Sequence, residues 1–91
     1  MVTSIILITA EREKINEVAE QLAGIEGITE AYSVSGQYDI IAIARVPTAE
    51  DLAQLVTQRL QSIRAITNTE TLLAFKAYSR HDLESMFEVG S

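Results

Sequence analysis

The residues best suited to chemistry form a polar turn at positions 35–39, Ser-Gly-Gln-Tyr-Asp, which leads directly into the apolar run 40–44. Gly36 permits the positive φ that tight hairpin turns require, and Ser35 and Asp39 can bond neighbouring backbone groups. Exposed backbone N–H groups of such a turn can also hold a carboxylate, and an Asp can accept hydrogen bonds from an ammonium group. The turn is therefore a candidate site for a small zwitterion such as an amino acid.

A second polar stretch, Thr-Asn-Thr-Glu-Thr at positions 67–71, supplies further hydroxyl groups. Ordinary β-propensity also explains Thr67 and Thr69. Tyr38 can likewise be present only because it packs at a strand edge, and Asp39 only because its carboxylate accepts hydrogen bonds that stabilise the turn. The binding and the structural interpretations of these residues both stay open at this point.

Other chemistries find little support in the chain. It has no cysteine and one histidine, His81, with no partner at a metal-ligand spacing. Residues 24–27, Gly-Ile-Glu-Gly, are too short for a dinucleotide loop and are interpreted as a connector. The acidic residues of the first predicted helix fit a solvated face: Glu11, Glu13, Glu17 and Glu20. No catalytic residue, metal site or cofactor is predicted.

Composition narrows the class of protein. The 91 residues, 47% of them hydrophobic and 22% charged, predict one globular domain. No apolar run approaches the ~20 residues that span a bilayer, and no basic segment precedes the first apolar run, so we expect neither membrane association nor a signal peptide. A cysteine-free chain of this kind is expected in the cytoplasm. The net charge of −6, with scattered basic residues, argues against direct binding of nucleic acid.

Periodicity predicts the order strand, helix, strand, strand, helix, strand. The strands are expected over residues 4–9, 28–35, 38–46 and 69–78, the second of them at a sheet edge, and a final turn or short helix is expected over 81–88. The first helix covers 11–23 and ends at Gly24; the second begins at the N-cap Thr48 after Pro47 and ends near Arg64. This order predicts a ferredoxin-like α+β fold, a four-stranded antiparallel sheet in the order 4-1-3-2 with both helices on one face.

The two central strands are apolar on both sides, which a sheet with one wet face should not be. Strand one offers Ile5 and Leu7 to one face and Ile6 and Ile8 to the other. Because two helices cover only one face, we expect a second copy to cover the other in a face-to-face homodimer. The alternative is that the C-terminal segment around Phe87 folds back over its own sheet, or is swapped onto a partner.

Two segments, Val-Ser-Gly-Gln-Tyr-Asp-Ile-Ile at 34–41 and Ile-Thr-Asn-Thr-Glu-Thr-Leu-Leu at 66–73, resemble the ligand-binding module of the Lrp/AsnC regulators. This module is the RAM domain, for regulation of amino-acid metabolism. The resemblance runs from the first strand to about Tyr78, and its most specific part is the G-x-Y-D turn. Full-length members carry an N-terminal helix-turn-helix domain, whereas this chain begins at the first strand and is similar to the stand-alone form, with a domain over 1–79 and a tail over 80–91.

The resemblance implies a homo-oligomer in which sheets pair as a dimeric α+β barrel and dimers form rings such as octamers or decamers. It also implies an amino-acid effector held between dimers, and regulation of transcription through co-assembly with a full-length Lrp/AsnC regulator. The implied ligand contacts lie on the turn and at the start of the last strand. They are Ser35, Gly36, Gln37, Tyr38, Asp39, Thr67 and Thr69.

Two alternatives share the predicted order of elements. A small dimeric α+β barrel enzyme, of the monooxygenase or isomerase type, needs a His, Tyr or Asp inside a cavity, and the strands offer Tyr32 and Tyr78. An ACT-like regulatory domain associates its sheets side by side, which leaves the apolar free face unexplained.

Overall fold

The computed structural model describes residues 1–78 and Arg80. The predicted terminal turn or short helix over 81–88, with His81, lies outside the described residues. Each described element follows from a local pattern, such as the β-branched run of the first strand or the apolar stripe of the first helix. The strands are β1 (Val2–Ala10), β2 (Ile28–Ser33), β3 (Ile40–Val46) and β4 (Ile66–Ala74). The helices are a 3-10 turn (Arg12–Lys14), α1 (Ile15–Ala23) and α2 (Ala49–Gln54), which continues as a π-helical segment (Leu55–Leu60).

Within residues 1–78 the four strands form one sheet in the order β2-β3-β1-β4, and every neighbouring pair is antiparallel. The predicted ferredoxin-like fold is thus confirmed, with the two most apolar strands in the centre and β2 at an edge. In the β1–β3 pair Val2 lies opposite Val46 and Ile8 opposite Ile40, so the β2–β3 turn projects beyond the C-terminal end of β1.

One face of the sheet is packed against the helices. Ile6, Ile8 and Ile40 are completely buried there, and they share a core with Val18 of α1 and Leu60 of the π-helical segment. Complete burial of an aliphatic side chain stabilises the fold by about 1.5–3 kcal/mol. This core therefore fixes the orientation of the sheet relative to both helices.

The other face carries apolar side chains that do not belong to this core. We call it the open face and define it by its half-buried or exposed aliphatic residues: Ile5, Leu7, Ile41, Ile43 and Leu72. Leu72 on the edge strand β4 is 43% exposed, and Tyr32, which lies opposite Ile41 on the other edge strand, β2, is 49% exposed. The alternation predicted for the central strands is confirmed, and the described residues leave an apolar surface on this side of the sheet.

Several predicted boundaries were wrong. β4 covers Ile66–Ala74 rather than 69–78, because its last rung pairs Ala74 with Thr3, close to the N-terminus of β1. β2 ends at Ser33 rather than residue 35, and β3 begins at Ile40 rather than residue 38. The second helix ends at Leu60 rather than near Arg64. Its predicted start is confirmed, since the Asp51 N–H donates to Thr48 Oγ1 at 3.1 Å.

Candidate functional site

The β2–β3 turn holds its tip away from the rest of the described chain. Gly36 has a φ of +114°, and a Cβ built on it would meet no atom within 4 Å. Ser35, Gly36 and Gln37 are exposed, whereas Tyr38 and Asp39 are half-buried. The predicted positive φ at Gly36 is therefore confirmed, and this conformation is one that L residues other than Gly rarely adopt.

Three consecutive backbone N–H groups at the tip are available to a ligand. Within the described chain, the N–H groups of exposed Ser35, Gly36 and Gln37 donate to no other group. The N–H of half-buried Tyr38 also has no acceptor there, whereas those of Val34 and Asp39, on either side of these four, do. Val34 donates to the Asp39 carbonyl at 2.9 Å, which closes the base of the turn. Successive free N–H groups in a turn form a concave donor surface that suits a carboxylate.

Asp39 anchors the turn to the end of β1. Its Oδ2 accepts a hydrogen bond from the Ala10 N–H at 2.9 Å, and its own N–H donates to the Ile8 carbonyl at 2.9 Å. The carboxylate thus takes the place of a backbone acceptor where the β1–β3 ladder ends. In the structure the Asp39 carboxylate therefore serves to anchor the turn through Oδ2, and its other oxygen, Oδ1, takes no part in this hydrogen bond.

Tyr38 reaches across the sheet from the turn to β4. Its hydroxyl donates to Glu70 Oε2, and Glu70 lies opposite Leu7 on the open face. The hydrogen bond to Glu70 raises the pKa of Tyr38 above its ordinary value of 10.0, with smaller contributions from desolvation and from the negative charge of Glu70. The bond connects the turn to the edge strand on the open side of the sheet.

Thr67 and Thr69 lie on the far side of β1 from the turn. A bulge in the β1–β4 pairing brings Thr67 Oγ1 to 3.0 Å from Thr9 Oγ1, while Thr69 lies opposite Ile8. Both threonines line a groove of about 370 Å³ between the end of the π-helical segment and β4. The end of β1 therefore separates the turn, bonded to Ala10, from Thr67, bonded to Thr9.

The two tyrosines that the enzyme alternative would use are exposed rather than enclosed. Tyr32 is 49% exposed, and its hydroxyl donates a hydrogen bond to Glu30, which raises the pKa of Tyr32. Tyr78 is 70% exposed, and the centroid of its ring lies 5.2 Å from Lys76 Nζ. In the described part of the chain, no three His, Cys, Asp or Glu residues converge as a metal site would require. Among the same residues, no helix is long and apolar enough to cross a membrane.

The residues 24–27 contribute to a cleft that the sequence did not predict. Gly27, rather than Gly24, has the positive φ, +100°, and it borders a cleft of about 510 Å³ with the C-terminal end of β3 and the helix after it. The connector interpretation is confirmed, because these residues join the end of α1 to the start of β2, and they also border this cleft. A glycine just before a strand was the one available signal, and it does not distinguish a tight turn from a binding surface.

The sheet order and the two helices packed on one face define a ferredoxin-like α+β domain. The model of the Lrp/AsnC ligand-binding domain family matches residues 3–83, and the chain belongs to this family. It is 36% identical over 74 residues to the HTH-type transcriptional regulator PF1734 of Pyrococcus furiosus, covering 81% of this chain and 49% of that protein. The chain spans between 39% and 50% of the length of such curated relatives.

Solved structures agree with this assignment. The crystal structure of TTHA0845 from Thermus thermophilus is similar at a TM-score of 0.82 and 39% identity, covering 88% of this chain and 100% of that one. AsnC of Escherichia coli shares the fold at a TM-score of 0.79 and 24% identity, covering 86% of this chain and 53% of that one. The family is that of ligand-binding domains of transcription regulators, so the enzyme alternative receives no support from it.

Proposed function

We propose that this chain is an amino-acid-binding regulatory module that self-associates and modulates Lrp/AsnC-type transcription regulators. The observation that carries the proposal is the row of free N–H groups at Ser35, Gly36 and Gln37 on an anchored turn. A ligand carboxylate would accept hydrogen bonds from this row without first having to order the turn. Tyr38 and Asp39 complete the proposed contacts from the base of the turn. Thr67 and Thr69 would contribute from β4 of another copy, because β1 separates them from the turn within one copy.

Self-association is proposed through the open face. Its aliphatic residues lie side by side on three strands, with Ile5 opposite both Ile43 and Leu72. A second copy placed against this face would remove these side chains from water, at about 25 cal/mol per Å² of apolar surface buried. Rings of such dimers would bring turns of different copies together, so that a ligand between copies stabilises the assembled state by mass action.

The remaining parts of the proposal concern partners and setting. The net charge of −6 supports a module that acts through a full-length regulator rather than by holding DNA itself. We assign residues 1–79 to the ligand-binding domain and 80–91 to a tail, and place the protein in the cytoplasm. The proposal includes no enzymatic activity and no cofactor.

Isothermal titration of the full chain with each of the common amino acids tests the proposed ligand. We expect saturable binding of at least one of them, and weaker binding by the Gly36→Ala variant, whose strained turn would no longer present its N–H groups together. Gly24→Ala is the matched control, because Gly24 has a φ of −87° and lies away from the turn. Binding of none of the amino acids, or equal binding by both variants, would contradict the proposal.

A further inference from the structure

The helices of the described chain leave most of one edge strand, β4, uncovered. α1 lies against β2 and β3, and α2 lies against β3 and β1. On the helix side of the sheet, Ser4 and Ile6 of β1 are completely buried. Thr71 and Leu73 lie opposite these residues on β4 and are exposed, Leu73 to 51%. The layer of helices therefore ends before it reaches the edge of the sheet.

The uncovered side of β4 continues into the groove of about 370 Å³ between this strand and the π-helical segment. The groove has apolar side chains on its helical wall, and two of them, Val56 and Ile63, are only half-buried. Half-buried apolar side chains beside an exposed leucine favour the docking of an apolar partner. We call this region the β4 surface and define it by six residues: Val56, Ile63, Thr67, Thr69, Thr71 and Leu73.

The β4 surface has the dimensions of one short helix. From Thr69 to Leu73 the strand rises by about 13 Å, and eight residues of α-helix span about 12 Å. Neighbouring helices pack about 8–10 Å apart, which is about twice the spacing of neighbouring strands. Because α2 lies over β3 and β1, a helix packed beside it would lie over β4.

The residues that follow β4 have the pattern of such a helix. Residues 81–88, for which the sequence predicts a turn or short helix, lie outside the described residues. Their sequence, His-Asp-Leu-Glu-Ser-Met-Phe-Glu, places Leu83, Met86 and Phe87 at the i, i+3 and i+4 spacing of one helix side. The three carboxylate side chains of this segment fall on the other side. The pattern therefore predicts one apolar and one charged side.

The same segment is tethered beside the β4 surface. β4 ends at Ala74, and only residues 75–80 connect it to residue 81. A connection of this length is usual between a strand and the helix that packs back on it, and it reaches about 20 Å when fully extended. A short tether gives an effective concentration of about a millimolar, so the segment competes well with separate molecules for this surface.

We propose that residues 81–88 form a helix that packs on the β4 surface of their own chain. The apolar side of this helix contacts the surface, and its charged side faces water. Because Thr67 and Thr69 belong to the surface, the helix shields both from other molecules. The packing itself requires no ligand and leaves the open face free. One consequence rests on the proposed function: the helix has to leave before these threonines can contact a ligand held by another copy.

Methyl NMR of the full chain tests the packing, because an aromatic ring shifts the resonances of the methyl groups that it covers. We expect Phe87→Leu to shift the methyl resonances of Val56 and Ile63 and to leave those of the open face unchanged. Phe75→Leu is the matched control, because the chain has two phenylalanines and Phe75 is 96% exposed outside the β4 surface. The proposal is overturned if Val56 and Ile63 do not shift, if the open-face methyl groups shift instead, or if both variants act equally.

Paired cysteines test whether the segment packs on its own chain, which has no cysteine of its own. Thr71→Cys combined with Met86→Cys should form a disulfide within one chain under mild oxidation. Leu72→Cys combined with Met86→Cys is the control and should not, because neighbouring strand residues face opposite sides of the sheet.

Three results of this experiment would overturn the proposal. They are the absence of a disulfide from both pairs, disulfides formed only between chains, and preferential disulfide formation by the Leu72→Cys pair, which would place the segment on the open face. None of these results bears on the amino-acid titration that tests the proposed function, so the two proposals can fail separately.

Discussion

Gly24, Gly27 and Gly36 differ in backbone conformation and in the space around them. Replacing each by alanine therefore separates two destabilising effects of a Cβ, backbone strain at positive φ and steric overlap with neighbouring atoms. Gly24 ends α1 with a φ of −87°, and a Cβ there would lie 3.6 Å from the nearest atom outside its chain neighbours, an ordinary contact. Gly36 has a φ of +114° and open space around it. Gly27 combines a φ of +100° with contacts of 2.9 Å and 3.0 Å.

These values predict an order of stabilities. Gly24→Ala should change the free energy of unfolding little or raise it by up to about 1 kcal/mol, because alanine restricts the unfolded chain. Gly36→Ala should cost about 1–3 kcal/mol from backbone strain alone. Gly27→Ala should cost the same strain and about 1–3 kcal/mol more from overpacking, because the branched Val46 side chain cannot rotate away easily. Its total cost is about 2–6 kcal/mol.

Urea unfolding followed by circular dichroism measures this order, at one protein concentration because association shifts the apparent stability. The expected midpoints fall from Gly24→Ala to Gly36→Ala to Gly27→Ala. The reasoning is refuted if Gly27→Ala is as stable as Gly36→Ala, because its close contacts would then be without consequence. A Gly24→Ala variant less stable than Gly36→Ala would refute the argument from φ.

Three further predictions concern single side chains. In a variant with Tyr38 as the sole tyrosine, ultraviolet titration should give a midpoint above 10.0 that falls when Glu70 becomes Ala. Because folding raises the pKa of Tyr38, the hydrogen bond from its hydroxyl to Glu70 stabilises the fold fully below the unfolded-state pKa of about 10. This stabilisation is lost as the pH rises through the folded-state pKa. Asp39→Ala should lower the free energy of unfolding by about 1.5–3 kcal/mol by leaving the Ala10 N–H without its acceptor, and Asp39→Asn by less; denaturation tests both. Thr48→Ala should cost about 0.5–2 kcal/mol in the same assay through loss of the N-cap, and an unchanged midpoint would exclude that role.

The sequence predicted the order of strands because the pattern of burial is periodic. Ile6 and Ile8 alternate with Ile5 and Leu7, and the same alternation in β3 places both strands in the centre of the sheet. Right-handed crossovers then select the order 4-1-3-2, which the structure has. The predicted positive φ at Gly36 is also confirmed, since a short hairpin tip allows few conformations. In these cases a local pattern and the global topology require the same structure.

The ends of the strands could not be predicted from the local sequence pattern, because they depend on which residues of the neighbouring strand are available for pairing. β4 ends at Ala74 because β1 offers little beyond Thr3, and β3 begins at Ile40 because the Asp39 carboxylate, rather than a backbone carbonyl, accepts the Ala10 N–H. The cleft was missed for the same reason, since Gly27 becomes informative only once Leu55 packs against it. Long-range pairing and packing therefore decided what periodicity left open.

Sedimentation velocity at micromolar concentration tests the central claim, that the open face is covered by a second copy. We expect the unaltered chain to sediment as a dimer or a larger assembly, and Ile5→Glu to sediment as a folded single copy, because the new charge would be buried without a partner. Thr71→Glu, an exposed strand position outside the open face, is the control that should leave the assembly intact. A well-folded single copy of the unaltered chain would contradict the account.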